Sequence, residues 1–454
     1  MSMMKGFSNV FRIPELRKKI FVTLGLVAVC RLVSLVPTPG VDWTSVQTAL
    51  QEATKNSGLL GFFNNMTGGA LGQFSIGTLS IWPYISASIV IQLLSSMIPS
   101  LQKLKKEGEN GRQQLAQITR YLTIVLCVVQ GWGIATLLSS PEALRQIGYV
   151  KPLVAEPGFG FNVMTIICMT AASLFIMWVA DQITAFGVGN GASLIIMINI
   201  TSRLPEALWS AYQRYFVSPD GKMVELGMLV LFFLVVVMAT VMLTQGVRKV
   251  AIHSTRRSVG GGNTYGMKQT YMPLKVNYTG VMPIIFAQPL IQIAAVGLQY
   301  VAPKDGFLYR AAIELQASTS LSHLSIYAVL IVFFTFFWVA TQFNAIDISE
   351  NLKKDGSYIP GVRPGRATAE FLDDMMTKIT LIGALGLLAI ALIPMVLMSW
   401  LNIPDALASF FGGTSLLIIV GVALDTLRIL ASHLLVRKYD GFLSHGRLRG
   451  RSGM

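Results

Sequence analysis

The chain has 454 residues, of which 53% are hydrophobic and only 13% charged. A soluble domain carries about a quarter charged residues, so a water-soluble enzyme is excluded and a chain that crosses a membrane many times is indicated. The formal net charge of +14 must then sit in loops, because charge inside a bilayer is expensive; a basic surface beside a membrane suits anionic lipid, nucleic acid or an acidic protein partner.

Basic residues open the chain, and an apolar run follows that Arg31 interrupts, with no small-residue cleavage site after it. This reads as a retained first span rather than a removed signal peptide. Apolar runs of about 17–25 residues, the length needed to span a bilayer, then recur. They lie near 20–37, 74–98, 119–138, 161–180, 187–204, 224–243, 277–301, 322–343, 379–399 and 411–436, which makes ten predicted spans. The alternation of a membrane barrel is absent, so the predicted architecture is all-α and integral to the membrane.

Between the first two spans lies "LLGFFNNMTGGALGQFS", Leu59 to Ser75. It is apolar, glycine-rich and too short to span. Two readings stay open: an interfacial helix, or a re-entrant segment, which is tolerated at membrane depth only where protein or water surrounds it.

Five spans precede the region near Leu204–Tyr215 and five follow it. An odd number per half places the halves in opposite orientations, the geometry of an inverted repeat. The chain thus divides into an N-terminal half, 1–204, with the short segment at about 59–73, and a C-terminal half, 205–454, with the loops 244–275 and 344–378 and a basic tail. Alternate loops with their flanking span ends, beginning with the N-terminus, hold 27 of the 36 Lys and Arg, and the opposite set holds 8. Basic loops stay cytoplasmic, which predicts that both termini are cytoplasmic.

Two of the basic loops carry more pattern than topology requires. In the first, "VRKVAIH" and "KQTYMPLK" alternate around a glycine-rich tip with Arg256 and Arg257, and Lys268 follows. The alternation predicts a β-hairpin, and its basic tip suits phosphate contacts; the positive-inside bias alone is the other reading. Neither "GGG" in this loop nor "GVGNG" at 187–191 is a phosphate loop, since no strand–Gly–helix frame with Lys-Ser/Thr follows. The second motif more simply lets one helix end approach another. In the other loop, "NLKKDGSYIPGVRPG" (351–365), Lys353 and Lys354 have acidic neighbours, but Arg363 stands on backbone restrained by Pro360 and Pro364. Such a loop presents a side chain at little entropic cost on binding.

The spans hold almost no charge beyond Arg31 and Asp425, the latter read as a partner for a nearby Arg. Coupled transporters need ionisable groups at mid-depth, so a small-solute secondary transporter is the weaker alternative. No metal set, nucleophile–base pair or carboxylate pair is visible. An enzyme is therefore not expected, nor a cofactor. Cys30, Cys127 and Cys168 lie in apolar runs and read as small buried hydrophobes.

Six stretches together point to a family: "GGALGQFSIGTLSIWPYISASIVIQLL" (68–94), "KKEGENGRQQLAQITRYLT" (105–123), "GVGNGASLII" (187–196), "TYMPLKVNYTGVMPIIFA" (270–287), "DISENLKKDGSYIPGVRPGRATAEFLDDMMTKITLIGAL" (347–385) and "FGGTSLLIIVGVALDTL" (411–427). They resemble SecY, the channel subunit of the bacterial protein translocase, from about Arg12 to Leu443. The resemblance implies ten helices in two inverted five-helix halves around a central pore. It also implies a channel that passes unfolded secretory polypeptides and releases hydrophobic segments sideways into lipid, in the bacterial inner membrane. A pore ring of Ile81, Ile85, Ile195, Ile285 and Ile418 is implied, which gates ions by dewetting. So is a re-entrant plug including Leu59, Phe62, Phe63, Gly68, Gly69 and Leu71. Gln92, Gln130 and Asn277 are candidates for polar contacts at a lateral gate. Arg256, Arg257, Lys268, Lys353, Lys354 and Arg363 would dock a partner, the SecA ATPase or the translating ribosome through its rRNA. SecE-like and SecG-like membrane subunits, signal sequences and nascent polypeptides complete the partners implied.

Overall fold

The computed structural model describes residues 13–41, 64, 66–139, 154, 158–217, 223–254, 270–303, 306–316, 320–400 and 413–445. They form fourteen α-helices and three short strands in two compact units, Met1–Pro205 with Val422–Met454, and Glu206–Gly421.

The first unit begins with α1 (Pro14–Val33), whose Pro sits in the first turn, where its missing N–H costs nothing. An irregular segment, 66–81, leads to α2 (Trp82–Met97). Pro83 occupies the first turn of α2. A sharp bend at Ile98 and Pro99 separates α2 from the short amphipathic α3 (Pro99–Lys106). Next come α4 (Glu109–Ser139), α5 (Phe159–Phe186) and α6 (Gly191–Thr201). α4 packs on both α2 and α5, and α1 lies against α5. Phe74, Leu79, Cys127, Leu138, Phe161 and Met169 share one buried cluster. "GVGNG" serves close approach, as expected: a Cβ at Gly191 would meet the carbonyl of Ala180 in α5. Asn190 caps α6, its Oδ1 accepting from the Ser193 amide at 3.2 Å.

α7 (Leu204–Tyr212), continued by one π turn to Val217, opens the second unit. Then follow α8 (Met223–Gln245), β1 (Val247–Ser254), β2 (Thr270–Lys275), α9 (Met282–Val301), α10 (Phe307–Gln316) and α11 (Leu321–Gln342). The unit continues through α12 (Ala345–Lys354), β3 (Ser357–Tyr358), α13 (Arg366–Trp400) and the start of α14 (Gly413–His445). Ile284, Ile291, Tyr327, Ile331, Leu387 and Leu416 anchor its apolar core.

The hairpin expected around "VRKVAIH" and "KQTYMPLK" is present as β1 and β2, paired antiparallel from Val247↔Lys275 to Ile252↔Thr270. β3, from the other basic loop, adds to the free edge of β1 through His253↔Tyr358 and Ser254↔Ser357. Val250 and Leu274 of the hairpin share a second buried cluster with Ala345, Ile359, Ala369 and Leu372. The two loops are thus one small domain with its own core.

Each expected span contains a helix, though the boundaries differ. Among the described residues, six helical stretches are long and apolar enough to cross a membrane unaided, or seven if the bent α2–α3 pair is one span. The remaining expected spans are occupied by α1, α6 and α9. The second span, expected from residue 74, becomes helical only at Trp82. The hydroxyls of Ser75 and Thr78 bond carbonyls of the Ala70–Ser75 turn, competing with helix. Conversely, α4, α13 and α14 run well past their apolar stretches, because hydropathy marks only the greasy part of a helix.

Candidate functional site

Residues 66–81 are built of turns, not of an interfacial helix, and most are buried. Asn64 organises the start of this segment. Its carbonyl accepts from the Gly69 amide at 2.8 Å, and its Oδ1 accepts from the Gly72 amide at 2.8 Å. The chain leaving α1 pins the other end. The amide and hydroxyl of Thr38 donate to the Phe74 carbonyl at 3.1 and 3.0 Å, and the Ile76 amide donates to the Val36 carbonyl at 2.9 Å. Phe74 is 1% exposed and packs in the first unit's core.

Helices α1 and α6 supply a polar hub. Arg31, in the last turn of α1, donates to Asn199 Oδ1 at 3.3 Å and to the Gly68 carbonyl at 3.2 Å. Asn199 Nδ2 in turn donates to the Met66 carbonyl at 3.2 Å and to Ser80 Oγ at 3.1 Å. Ser202 Oγ, beyond α6, bonds the Asn199 carbonyl at 2.6 Å. Arg31 donates only, so Asn199 must turn its oxygen to Arg31 and its NH2 to the segment. Gly68, at φ +68°, fits tightly: a Cβ would meet the Arg31 guanidinium, the Asn199 carbonyl at 2.9 Å and Ser202 Oγ at 2.9 Å. Of the plug residues expected from sequence, Gly68, Gly69 and Leu71 lie here; Leu59, Phe62 and Phe63 lie outside the described residues.

The five isoleucines expected at the pore, Ile81, Ile85, Ile195, Ile285 and Ile418, are all buried. Ile81 directly precedes α2, Ile85 lies in its first turn, and Ile195 is in α6; Ile285 is in the first turn of α9 and Ile418 in α14. Of the lateral-gate candidates, Gln92 is exposed and bonds Ser88 in its own helix at 3.4 Å. Gln130 is half-buried. Asn277 is buried and accepts from the Thr279 hydroxyl at 3.3 Å.

On the loop domain, α12 is capped by Asn344, whose Oδ1 accepts from the amides of Ile346 and Asp347. The turn after β3 is fixed from beneath. Ser349 Oγ donates to the Gly365 carbonyl at 2.6 Å, and Thr368 Oγ1 donates to the Arg363 carbonyl at 2.8 Å. Arg363 is exposed, and among the described residues its guanidinium has no carboxylate partner. Its neighbours differ: Lys354 pairs with Glu350, Arg366 with Glu370 and Lys378 with Asp374. Lys353 is exposed; Arg256, Arg257 and Lys268 lie outside the described residues. Asp425 meets Arg428 at 3.4 Å, the bland role expected of it.

Sequence alone flagged Arg31 as a rare charge in a span and gave it no partner; Asn199 is an amide in the fifth span. Nothing local encodes a pairing across 168 positions. The signal was the shared oddity: a cation and an amide each placed in an apolar run.

A helical membrane protein with a buried, turn-rich segment between its first two membrane helices is the class these features define. The SecY family model matches residues 75–427. The protein translocase subunit SecY of Streptomyces coelicolor is 40% identical over 448 residues, covering 97% of this chain and all of that protein. A solved structure described as a protein conducting channel superposes with a TM-score of 0.60 at 16% identity, covering 94% of this chain and 96% of that one. Sec61 in a canine ribosome–channel complex from the endoplasmic reticulum gives 0.56 at 15% identity, with the same coverage. The chain belongs to the SecY family, and it is a multi-pass membrane protein and not an enzyme. Nothing found supports the solute-transporter alternative.

Proposed function

We propose that this chain is a protein-conducting channel that passes unfolded secretory polypeptide across the bacterial inner membrane and releases apolar segments sideways into lipid. Family membership carries this reading, and the chemistry of the spans suits it. Charge is scarce within them, and branched aliphatic side chains close around a peptide without demanding a sequence. The proposed ring consists of Ile81, Ile85, Ile195, Ile285 and Ile418, with residues 59–73 as the plug. An apolar constriction of this kind blocks ions by dewetting.

A signal sequence with about ten Leu-like residues gains roughly 3–6 kcal/mol on entering lipid. That biases a gate whose states lie a few kcal/mol apart. Gln92, Gln130 and Asn277 are the proposed polar residues at that gate. The chain shows no nucleotide motif, so energy comes from a partner, the SecA ATPase or the translating ribosome. Arg256, Arg257, Lys268, Lys353, Lys354 and Arg363 are the proposed docking residues. SecE-like and SecG-like subunits accompany the channel, and both termini face the cytoplasm.

Cysteines placed at 85, 195, 285 and 418 test the reading by crosslinking to a stalled secretory chain. Crosslinks from all four positions are expected. A stalled chain that crosslinks only to lipid-facing positions, such as Leu231 or Val235 of α8, would sink it.

A further inference from the structure

We propose that Arg31 and Asn199 are positioning residues that latch the segment 66–80 in its buried position by gripping two of its backbone carbonyls and the Ser80 hydroxyl. This rests on reading residues 59–73, which this segment overlaps and continues, as the channel's plug. Asn199 Nδ2 reaches the Met66 carbonyl at 3.2 Å and Ser80 Oγ at 3.1 Å, so one amide holds both ends of a fifteen-residue loop. Arg31 adds a second grip near the start through the Gly68 carbonyl at 3.2 Å and orients the amide through Oδ1 at 3.3 Å. Gly68 leaves the space the guanidinium fills.

The backbone at two residues shows that the segment needs holding. Phe74 and Ser80 adopt φ +46° and +47°, a region that side-chain-bearing residues avoid. Such conformations persist only where surroundings impose them. The grip is also economical of sequence. The Met66 carbonyl accepts whatever side chain stands at 66, while position 68 must stay glycine to admit the guanidinium. Its members are chiefly neutral oxygens around a single cation; among the described residues no carboxylate pairs with Arg31. Release therefore breaks a few hydrogen bonds and frees no buried ion pair, which suits a part that moves repeatedly.

Hydrogen exchange and ion conductance on the full channel complex test the latch together. Asn199→Ala removes both donors to the segment, and Arg31→Gln removes the charge. Each is expected to speed exchange at the amides of Gly69, Gly72, Phe74 and Ser75 about 10- to 100-fold, with α5 and α8 unchanged, and to raise resting ion conductance. Arg31→Lys, a point donor in place of a fork, gives an intermediate value and serves where the other variants fail to fold. Unchanged exchange in 66–75 overturns the latch, whatever the conductance does. Faster exchange at unchanged conductance upholds the latch and overturns the plug reading beneath it.

Discussion

Residues 66–81 and residues 357–366 are both irregular, both glycine-bearing and both held by hydroxyl-to-carbonyl bonds, yet they spend their polar groups in opposite ways. In the first, side chains from α1 and α6 seize the backbone of the segment, and the cation Arg31 is consumed in the holding. In the second, Ser349 and Thr368 seize the backbone from below and leave Arg363 exposed. If the first is the proposed plug, it turns its binding capacity inward because it must stay until displaced; if the second is the proposed docking turn, it fixes its backbone and turns one charge outward to meet a partner.

The sharpest way to break that contrast is to reverse the outward charge. Arg363→Glu should reduce SecA-driven export by about 100-fold or more, since losing a well-placed interfacial charge costs about 2–5 kcal/mol. Stability should move by less than about 0.5 kcal/mol, because the side chain is exposed. Export assayed in inverted vesicles, beside thermal unfolding in detergent, separates the two; unchanged export would remove the docking role.

The loop domain's core offers the next largest effect. Leu372 is 0% exposed in the cluster that joins the hairpin to α12 and α13. Leu372→Ala should destabilise that domain by about 2–5 kcal/mol, seen as faster proteolysis of both loops at once. Cleavage of one loop alone would mean that they are not a single folded unit.

Much of this domain was legible beforehand, and the reason is range. The alternation in "VRKVAIH" and "KQTYMPLK" encodes a hairpin locally; α12, left within the loop 344–378 by the sequence reading, is bracketed by ordinary end signals at Asn344 and Gly356. That β3 would join β1 was not legible, because a two-residue strand has no periodicity. The same holds within the first unit. Helices showed through their apolar runs, but the second began eight residues late, where Ser75, Thr78 and Ser80 favour turns. The extension of α13 back to Arg366 was hidden because Arg366–Glu370 and Lys378–Asp374 support helix without adding hydropathy. The Arg31–Asn199 contact was hidden because only the assembled fold brings the two together.

Glycine replacement sharpens the comparison at a smaller scale. Gly68→Ala meets both a positive φ and three occupied neighbours, whereas Gly361→Ala meets φ +83° and open space. The second should cost only the backbone term, about 1–2 kcal/mol, while the first adds overpacking of about 1–3 kcal/mol. Thermal unfolding of both variants, read with resting ion leakage, should show Gly68→Ala the less stable and the leakier. Equal effects would mean that the 66–81 segment is not tightly seated.

The smallest expected effect decides whether presentation or total charge matters on the loop domain. Lys354 pairs with Glu350 at 3.9 Å, both exposed, an arrangement worth about 0.3–0.5 kcal/mol. Its charge is already partly answered within α12, and among the described residues no hydroxyl fixes the backbone beneath it as Thr368 fixes that of Arg363. Lys354→Ala should therefore lower export by less than about twofold, a change of about 0.4 kcal/mol, whereas Arg363→Ala, which removes the same single charge, should lower it at least tenfold. Export measured across a salt series makes the comparison strict, because a diffuse attraction between basic loop and partner weakens with ionic strength. If the two alanine variants fall equally and share one salt dependence, the partner reads net charge, and the restrained turn around Arg363 has no part in recognition.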